Sequence, residues 1–201
     1  LMMNSFDHIQ KHYLLHMLDK DTTGVLIIAK NRLYAKKFSS YLKNKNIRKT
    51  YLAVVHGKIE KIKGSIDLPL FKEKVGKNEK MIVDYNKGLK SITKYKVLES
   101  SNGFSLVLLF PITGRTHQLR VHMSSLGHPI LGDKKYNDTS KIDYEFKNSS
   151  LMLHCLQMSF PNKDLKEKFI RAEINQKFYK ILKILEMENN ISLLEERLDY
   201  E

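Results

Sequence analysis

The sequence predicts an α+β fold with a mixed, largely antiparallel sheet flanked by helices. Runs rich in Val, Ile and Leu, of which "TYLAVVHG", "FSLVLLFPI" and "LMLHCLQMSF" are the longest, have the length of buried strands. Two other stretches carry apolar residues at helical spacing, and the turn "SNG" joins two strand runs as an antiparallel hairpin. With 42% hydrophobic residues among 201, the chain can bury the core of one domain.

The elements of the first half can be predicted in order. Residues 1–15 show no clear pattern, and "VLIIAK" at residues 25–30 predicts the first buried strand. "NRLYAKKFSSYLKNKN" predicts a helix with Asn31 as its N-cap, because apolar residues recur on one face. "TYLAVVHG" predicts a strand that ends at Gly57, and residues 58–80 predict a hairpin or an exposed excursion.

The second half continues the alternation of strands and helices. "SITKYKVLES" and "FSLVLLFPI" predict the two strands of the hairpin. "RTHQLRVHMSSLG" predicts a helix ended by Gly127, and "LMLHCLQMSF" predicts a further strand. Residues 165–201 are predicted to be mostly helical, with Phe178 and Leu182 on the apolar face.

The composition limits the possible functions. A net charge of +13 favours a polyanionic partner such as nucleic acid, although a coding bias toward Lys, Asn and Ile would also raise it. The single cysteine, Cys155, excludes an internal disulfide and a thiolate metal cage. No apolar run approaches the roughly 20 residues that span a bilayer, and no signal peptide is recognisable at residues 1–15. We therefore expect a cytoplasmic protein that is not bound to a membrane.

Two patterns suggest a metal site only at first sight. "DKDTTG", which begins at Asp19, has the spacing of an EF-hand loop, but the twelfth position holds Lys30 where calcium requires a bidentate glutamate. His117 and His122 are five residues apart and do not share a helix face well. We expect no metal, whereas Gly114 and the helix amides beyond it could bind an anion such as phosphate.

Four motifs follow one another between residues 16 and 160. "HMLDKDTTGVLIIAK" is similar to the signature HRLD-x-x-TSG, and "KTYLAVVHG" to K-x-Y-x-A-x-V-x-G. "GRTHQLRVHMSSLGHPILGDKKY" is similar to GRTHQIRVH, LGHPI and GD-x-x-Y in succession, and "LMLHCLQMSF" to LHA-x-x-L-x-F. Through these motifs, in this order, the chain resembles the RluA family of pseudouridine synthases. The resemblance implies the pseudouridine synthase catalytic-domain fold over residues 1–201, closed by a strand and helical segment at 165–201.

The resemblance also implies an activity. Family members isomerise uridine in RNA, here most simply large-subunit ribosomal RNA, by breaking the N1–C1′ bond and rejoining the uracil through C5, and they use no cofactor. Asp19 matches the catalytic carboxylate, and Arg115 matches the cation that keeps it ionised in a dry pocket. Tyr51 matches the tyrosine that stacks on the target base and assists removal of the C5 proton, although a tyrosine packed in the core is the alternative.

Further residues are expected around these three. The expected RNA-binding residues are Lys49, His117, Gln118 and Arg120, and Leu153 is expected to pack beneath the tyrosine. The resemblance leaves open whether the carboxylate attacks C1′ or removes the 2′ proton to form a glycal.

The chain also departs from the family pattern. Met17 replaces the arginine that fills the space left by the departing base, and Thr23 replaces a serine. The usual first strand and the small upstream RNA-binding domain have no counterpart, so we expect a truncated copy. A catalytically silent RNA-binding descendant is the main alternative. A glycosidase would need two carboxylates across the scissile bond. Outside the Asp19 loop, the matched motifs offer only Asp133, which matches a structural loop.

Overall fold

The computed structural model describes residues 12–44, 47–76, 78–137, 146, 148–160 and 168–190. The strands are β1 Tyr13–Leu14, β2 Thr23–Gly24, β3 Ile28–Ala29, β4 Arg48–His56, β5 Lys63–Asp67, β6 Leu70–Val75, β7 Asn78–Val83, β8 Ile92–Ser101, β9 Phe104–Pro111, β10 Leu153–Phe160 and β11 Lys168–Arg171. The helices are α1 Arg32–Lys43, α2 Gln118–Ser125 and α3 Gln176–Ile184, followed by a short 3₁₀ turn at Glu188–Asn190. No helix in these described ranges is both long enough and apolar enough to cross a membrane.

A seven-stranded sheet forms the centre of the molecule. Six strands lie in the order β11-β10-β4-β9-β8-β5, all antiparallel to their neighbours, and β2 adds a short parallel pairing to β10. Consecutive residues in the middle of β4 and β9 are all buried, and successive side chains point to opposite faces, so both faces are covered. The predicted mixed, largely antiparallel α+β architecture is confirmed.

Two hairpins match the turn signals of the sequence. Between β8 and β9, Asn102 (φ 49°) and Gly103 (φ 77°) both have left-handed backbone angles, as a type I′ turn requires. Strands β6 and β7 pair as a separate two-stranded sheet. This hairpin, Leu70–Val83, overlaps the region where a hairpin or an exposed excursion was predicted and extends beyond residue 80, whereas β5, from the same region, joins the main sheet beside β8.

The segment predicted as one strand at residues 25–30 is not one strand. The amide of Val25 donates to the carbonyl of Cys155 (2.9 Å), while β3 pairs with β1 instead of the main sheet. The backbone of this segment therefore divides its hydrogen bonds between two partners, and only the two-residue strands β2 and β3 form.

Helix α1 begins where predicted, because the side chain of Asn31 accepts a hydrogen bond from the amide of Tyr34. Helix α2 begins later than expected, at Gln118, because His117 has a left-handed φ of 51° that cannot continue a helix. In the C-terminal part, α3 buries the predicted Phe178 and Leu182. Residues 1–11, 161–167 and 191–201 lie outside the described ranges.

Candidate active site

The residues expected to form the site surround one cleft of about 1290 Å³. Asp19, Tyr51 and Arg115 all line it, although they belong to the loop before β2, to β4 and to the segment before α2. Lys49, His117, Gln118 and Leu153 line the same cleft. A typical small-molecule pocket measures about 300–1000 Å³, so this cleft has room for a nucleotide and part of its flanking chain.

The loop that carries Asp19 is held in place where β2 meets β10. Gly24 has a φ of +111°, and a Cβ atom there would lie 2.2 Å from the carbonyl oxygen of Cys155, so only glycine fits. The hydroxyl of Thr23 lies 2.8 Å from Nδ1 of His154 on β10. The end of the loop is therefore joined to the central sheet through both backbone and side-chain contacts.

Two basic groups face the Asp19 carboxylate. Nη1 of Arg120 lies 3.8 Å from Oδ2, and Nε2 of His117 lies 3.9 Å from Oδ1. The other nitrogens of the Arg120 guanidinium, Nε and Nη2, each donate to Asp133 at 2.7 Å. This bidentate bond orients the guanidinium, because a carboxylate and a guanidinium match in a fixed planar geometry. Arg120 thus bridges a buried carboxylate and the Asp19 side chain at the cleft.

The expected contact between Asp19 and Arg115 is not present in the described structure, and Arg120 makes the ion pair in its place. Arg115 is exposed at the edge of the cleft, and its Nε donates to the carbonyl of Lys90 at 3.5 Å. The physical reason is the Asp133 anchor, which holds the Arg120 guanidinium toward the Asp19 loop. The sequence motif alone does not reveal which of its two arginines faces the acid.

His117 directs its Nε2 toward Asp19. Its Nδ1 lies 2.7 Å from the hydroxyl of Tyr136, and that hydroxyl oxygen accepts a hydrogen bond from the amide of Met81 at 3.2 Å. Tyr136 thereby holds the ring with Nε2 toward Asp19. Burial lowers the pKa of His117, which outweighs the opposite effect of the Asp19 charge, so the ring is neutral at neutral pH.

Gln118 stabilises the turn that precedes α2. Its Oε1 accepts from the Thr113 hydroxyl (2.8 Å) and from the Arg115 amide (3.1 Å). Its Nε2 donates to the carbonyl of Ile92 and to the hydroxyl of Thr93, both at 3.0 Å. These four bonds use the full capacity of the amide, and the side chain is 4% exposed. The expected contact with RNA stays a prediction for this residue.

Tyr51 is held at the inner wall of the cleft. It is 8% exposed and pairs across the sheet with Cys155 on the neighbouring strand β10. Burial, with smaller contributions from Cys155 and the Asp19 charge, raises the pKa of the phenol far above its usual value. The phenol is therefore neutral at physiological pH. Its cross-strand neighbour Cys155 is fully buried in the hydrophobic core.

Basic residues dominate the wall of the cleft. Five basic residues and one acidic residue, Asp19, line it, and the basic ones are Lys43, Arg48, Lys49, Lys94 and Arg115. Lys49 lies two residues before Tyr51 on β4, is partly buried, and burial lowers its pKa. Met17, at the position where the family pattern has arginine, is 83% exposed and also lines the cleft. The excess of basic residues around the cleft is suited to binding a polyanion.

Within the described part of the chain, His, Cys, Asp and Glu side chains form no group of three or more that could hold a metal ion. The two histidines of the weak zinc pattern do not converge. His117 contacts Tyr136, whereas the buried His122 bonds to the hydroxyl of Thr93 (2.9 Å) and to the carbonyl of Leu68 (3.1 Å).

Comparison with known proteins gives a consistent result. The sequence profile of a family described as RNA pseudouridylate synthase matches residues 3–125. The ribosomal large subunit pseudouridine synthase C of Buchnera aphidicola (subsp. Baizongia pistaciae) is 40% identical over 86% of this chain. The ribosomal large subunit pseudouridine synthase D of Borreliella burgdorferi is 37% identical over 92% of this chain. In both cases the chain spans only 56% of the relative's length, about half.

Solved structures show the same fold. The human RNA pseudouridylate synthase domain containing 4 superposes with a TM-score of 0.74 at 26% identity, over 87% of this chain and 76% of that one. The human RNA pseudouridylate synthase domain containing 1 superposes with a TM-score of 0.72 at 28% identity, over 89% and 81%. The fold predicted from the resemblance is confirmed by these superpositions.

Proposed function

Because the chain belongs to the RNA pseudouridylate synthase family, in its RluA-type branch, we propose that it isomerises uridine to pseudouridine in RNA without a cofactor. The names of its bacterial relatives make large-subunit ribosomal RNA the proposed substrate and the cytoplasm the proposed location. One observation carries the proposal: Asp19 and Tyr51 line a single cleft whose other charged residues are basic.

Asp19 is the proposed catalytic carboxylate. Its partners, Arg120 at 3.8 Å and the neutral His117 at 3.9 Å, place a guanidinium charge and an imidazole nitrogen beside the carboxylate oxygens. A carboxylate in that position can act on the sugar in two ways. It can attack C1′ as the N1–C1′ bond breaks, or it can remove the 2′ proton to give a glycal. Both routes need the negative form of Asp19, and the Arg120 guanidinium lies beside that carboxylate.

Tyr51 is proposed to stack on the target uracil. A ring that is 8% exposed on a central strand keeps one orientation, as stacking requires. The raised pKa of the phenol makes a phenolate base unfavourable, so we assign Tyr51 to stacking and not to removal of the C5 proton. Leu153, which lines the same cleft from β10, is the proposed apolar neighbour.

Four residues of the basic wall are proposed to bind phosphates around the flipped uridine: Lys43, Arg48, Lys94 and Arg115. Moving a base out of its stack costs roughly a few kcal/mol, and ion pairs with phosphates offset this cost. Arg115 is exposed at the cleft and is suited to such a contact. Gln118 and Arg120 are only 4% and 8% exposed, so we assign them to positioning the site and not to the main RNA contacts.

The test is release of tritium from C5-labelled uridine in large-subunit ribosomal RNA. We expect the wild type to release tritium and Asp19→Asn to release none while still binding RNA. Asp21→Asn is the matched control, because Asp21 is an exposed acid two residues along the same loop. Full activity of Asp19→Asn would contradict the assignment.

A second candidate function is RNA binding without catalysis, which the exposed Met17 in place of the family's arginine favours. This second function would be supported over isomerisation if the wild type binds the RNA but releases no tritium under conditions where a relative is active.

A further inference from the structure

Lys49 has an unusual position among the basic residues of the cleft. It lies on the central strand β4, two residues before Tyr51, so both side chains leave the same face of the sheet. It is partly buried, and no hydrogen bond or ion pair of its ammonium group is found within the described residues. A desolvated ammonium without a counter-ion is unfavourable, and such groups concentrate at functional sites.

The groups around Lys49 do not provide a negative charge. The Lys49 charge acts electrostatically on His16 and Cys155. Burial lowers the pKa of His16 to about 4 and raises the pKa of the Cys155 thiol to about 11. Tyr51, which pairs with Cys155 across the sheet, is also neutral. At neutral pH all three neighbours are therefore uncharged, and burial of Lys49 itself lowers its pKa.

The acid of the cleft already has partners of its own. Among the described residues, Asp19 forms ion-pair contacts with His117 and Arg120 and none with the Lys49 ammonium. The cleft thus contains two distinct charge arrangements. At one, a carboxylate is matched by Arg120 and acts on the sugar. At the other, beside the stacking tyrosine, the Lys49 ammonium has no negatively charged partner among the described residues.

We propose that the Lys49 ammonium is the counter-charge for the uracil ring while that ring is detached from the sugar. The inference rests on the proposed function and adds a catalytic residue to it. When the N1–C1′ bond breaks, its electron pair stays on the ring, which becomes an anion with its charge spread over N1 and the carbonyl oxygens. The ring then rejoins C1′ through C5, the C5 proton leaves, and N1 gains a proton, so no outside reactant is required.

The energetic argument is differential binding. An ammonium interacts weakly with a neutral uracil and strongly with the anion, so it lowers the barrier to bond cleavage more than it strengthens substrate binding. It also keeps the detached ring in the cleft during its rotation. A phosphate contact would be a different role, because a phosphate is charged before and after the reaction and would affect binding alone.

The experiment compares single-turnover cleavage of the target nucleoside, as uridine or 5-fluorouridine, in the same RNA. Fluorine withdraws electrons and stabilises the ring anion, so 5-fluorouridine needs the counter-charge less. We expect Lys49→Met to slow uridine cleavage by roughly 10²- to 10³-fold, the usual cost of removing one such stabilising group. The factor by which it slows 5-fluorouridine cleavage should be at least tenfold smaller. Lys49→Gln should show the same selective loss, and Lys49→Arg should recover part of it.

The matched control is Lys43→Met, another basic residue of the cleft wall, located at the end of α1. It should affect both substrates equally and through binding. Equal losses on both substrates for Lys49→Met, with wild type active, would overturn this inference and leave the proposed function intact. The inference would also be overturned if Lys49→Met left the rate at saturating RNA unchanged and reduced the salt dependence of binding by about one phosphate contact. Wild-type protein that cleaves neither substrate contradicts the proposed function and this inference with it.

Discussion

Gly24 illustrates how a single residue positions the candidate active site. Its φ of +111° is rarely adopted by residues with a side chain, and a Cβ atom would lie 2.2 Å from the Cys155 carbonyl oxygen. The backbone at this point cannot move away freely, because the amide of Val25 donates to that same oxygen at 2.9 Å. The close approach of β2 to β10 therefore depends on the absence of a side chain at position 24.

We predict that Gly24→Ala is more destabilising than Gly76→Ala. Both glycines have positive φ, but a Cβ atom at Gly76 (φ +61°) would meet nothing within 4 Å. Backbone strain alone costs about 1–2 kcal/mol, so the control should lose about that much and Gly24→Ala clearly more. Urea denaturation measures both, and activity of Gly24→Ala should fall with the displacement of Asp19. Equal free energies of unfolding for the two variants would contradict the steric argument.

At the residue scale, the sequence was a partial guide to the site. The resemblance brought Asp19, Tyr51 and Arg115 together correctly as residues of one cleft. It did not predict that Arg120 would face Asp19, because this contact depends on the Asp133 anchor. A three-residue geometry of this kind has no signature in residue spacing, since its members come from separate loops and a helix.

At the element scale, α2 shows how buried polar groups fix a helix. Its first residue, Gln118, is bonded at all four positions, and Arg120 forms the bidentate pair with Asp133. Asp133 is 1% exposed and also accepts the amides of Lys135 and Tyr136. Burial opposes the charged form of Asp133, yet these donors outweigh it and the pKa of this carboxyl is lowered.

We predict that Asp133→Ala lowers the free energy of unfolding by roughly 3–5 kcal/mol, because it leaves a buried guanidinium without its partner. The double variant Arg120→Met/Asp133→Leu should lose less, since neither charge is then left unpaired. Lys58→Ala is the control, because the Lys58–Glu60 pair is 69% and 81% exposed and should contribute at most about 1 kcal/mol. Urea denaturation measures the free energy of unfolding of each variant. A small loss of stability for Asp133→Ala would show that the Arg120 guanidinium is satisfied without Asp133.

The strength of local signals explains which elements were predicted. Strands β4, β9 and β10 contain long apolar runs, and the β8–β9 turn has Asn-Gly, so these elements followed from the sequence. The run at residues 25–30 is equally apolar, but tertiary contacts with β10 and β1 divide its hydrogen bonds. The start of α2 was misplaced for a similar reason, because the left-handed His117 is stabilised by Tyr136 from a distant loop.

At the scale of the whole molecule, histidines make the fold sensitive to acid. Four histidines from different elements have lowered pKa values, mainly because of burial, and these are His16, His117, His122 and His154. His122 and His154 each accept a hydroxyl proton on one nitrogen and donate to a carbonyl from the other. A second ring proton would remove the acceptor in each case, so the folded state requires the neutral rings.

We predict that the protein loses stability as the pH falls below about 6.5, where histidines of the unfolded chain bind protons. The folded state resists protonation down to its own lower pKa values, about 4 for His16, so the unfolded state gains protons first and is favoured. The loss is at most about 1.4 kcal/mol per pH unit for each histidine. Urea denaturation at pH 7.5, 6 and 5 measures it.

His122→Gln, which keeps a donor and an acceptor, should flatten the pH dependence, whereas His12→Gln, at an exposed position, should not. A free energy of unfolding that stays constant over this range would mean that the rings are protonated in the folded state, and the hydrogen-bond directions assigned to His122 and His154 would then be wrong.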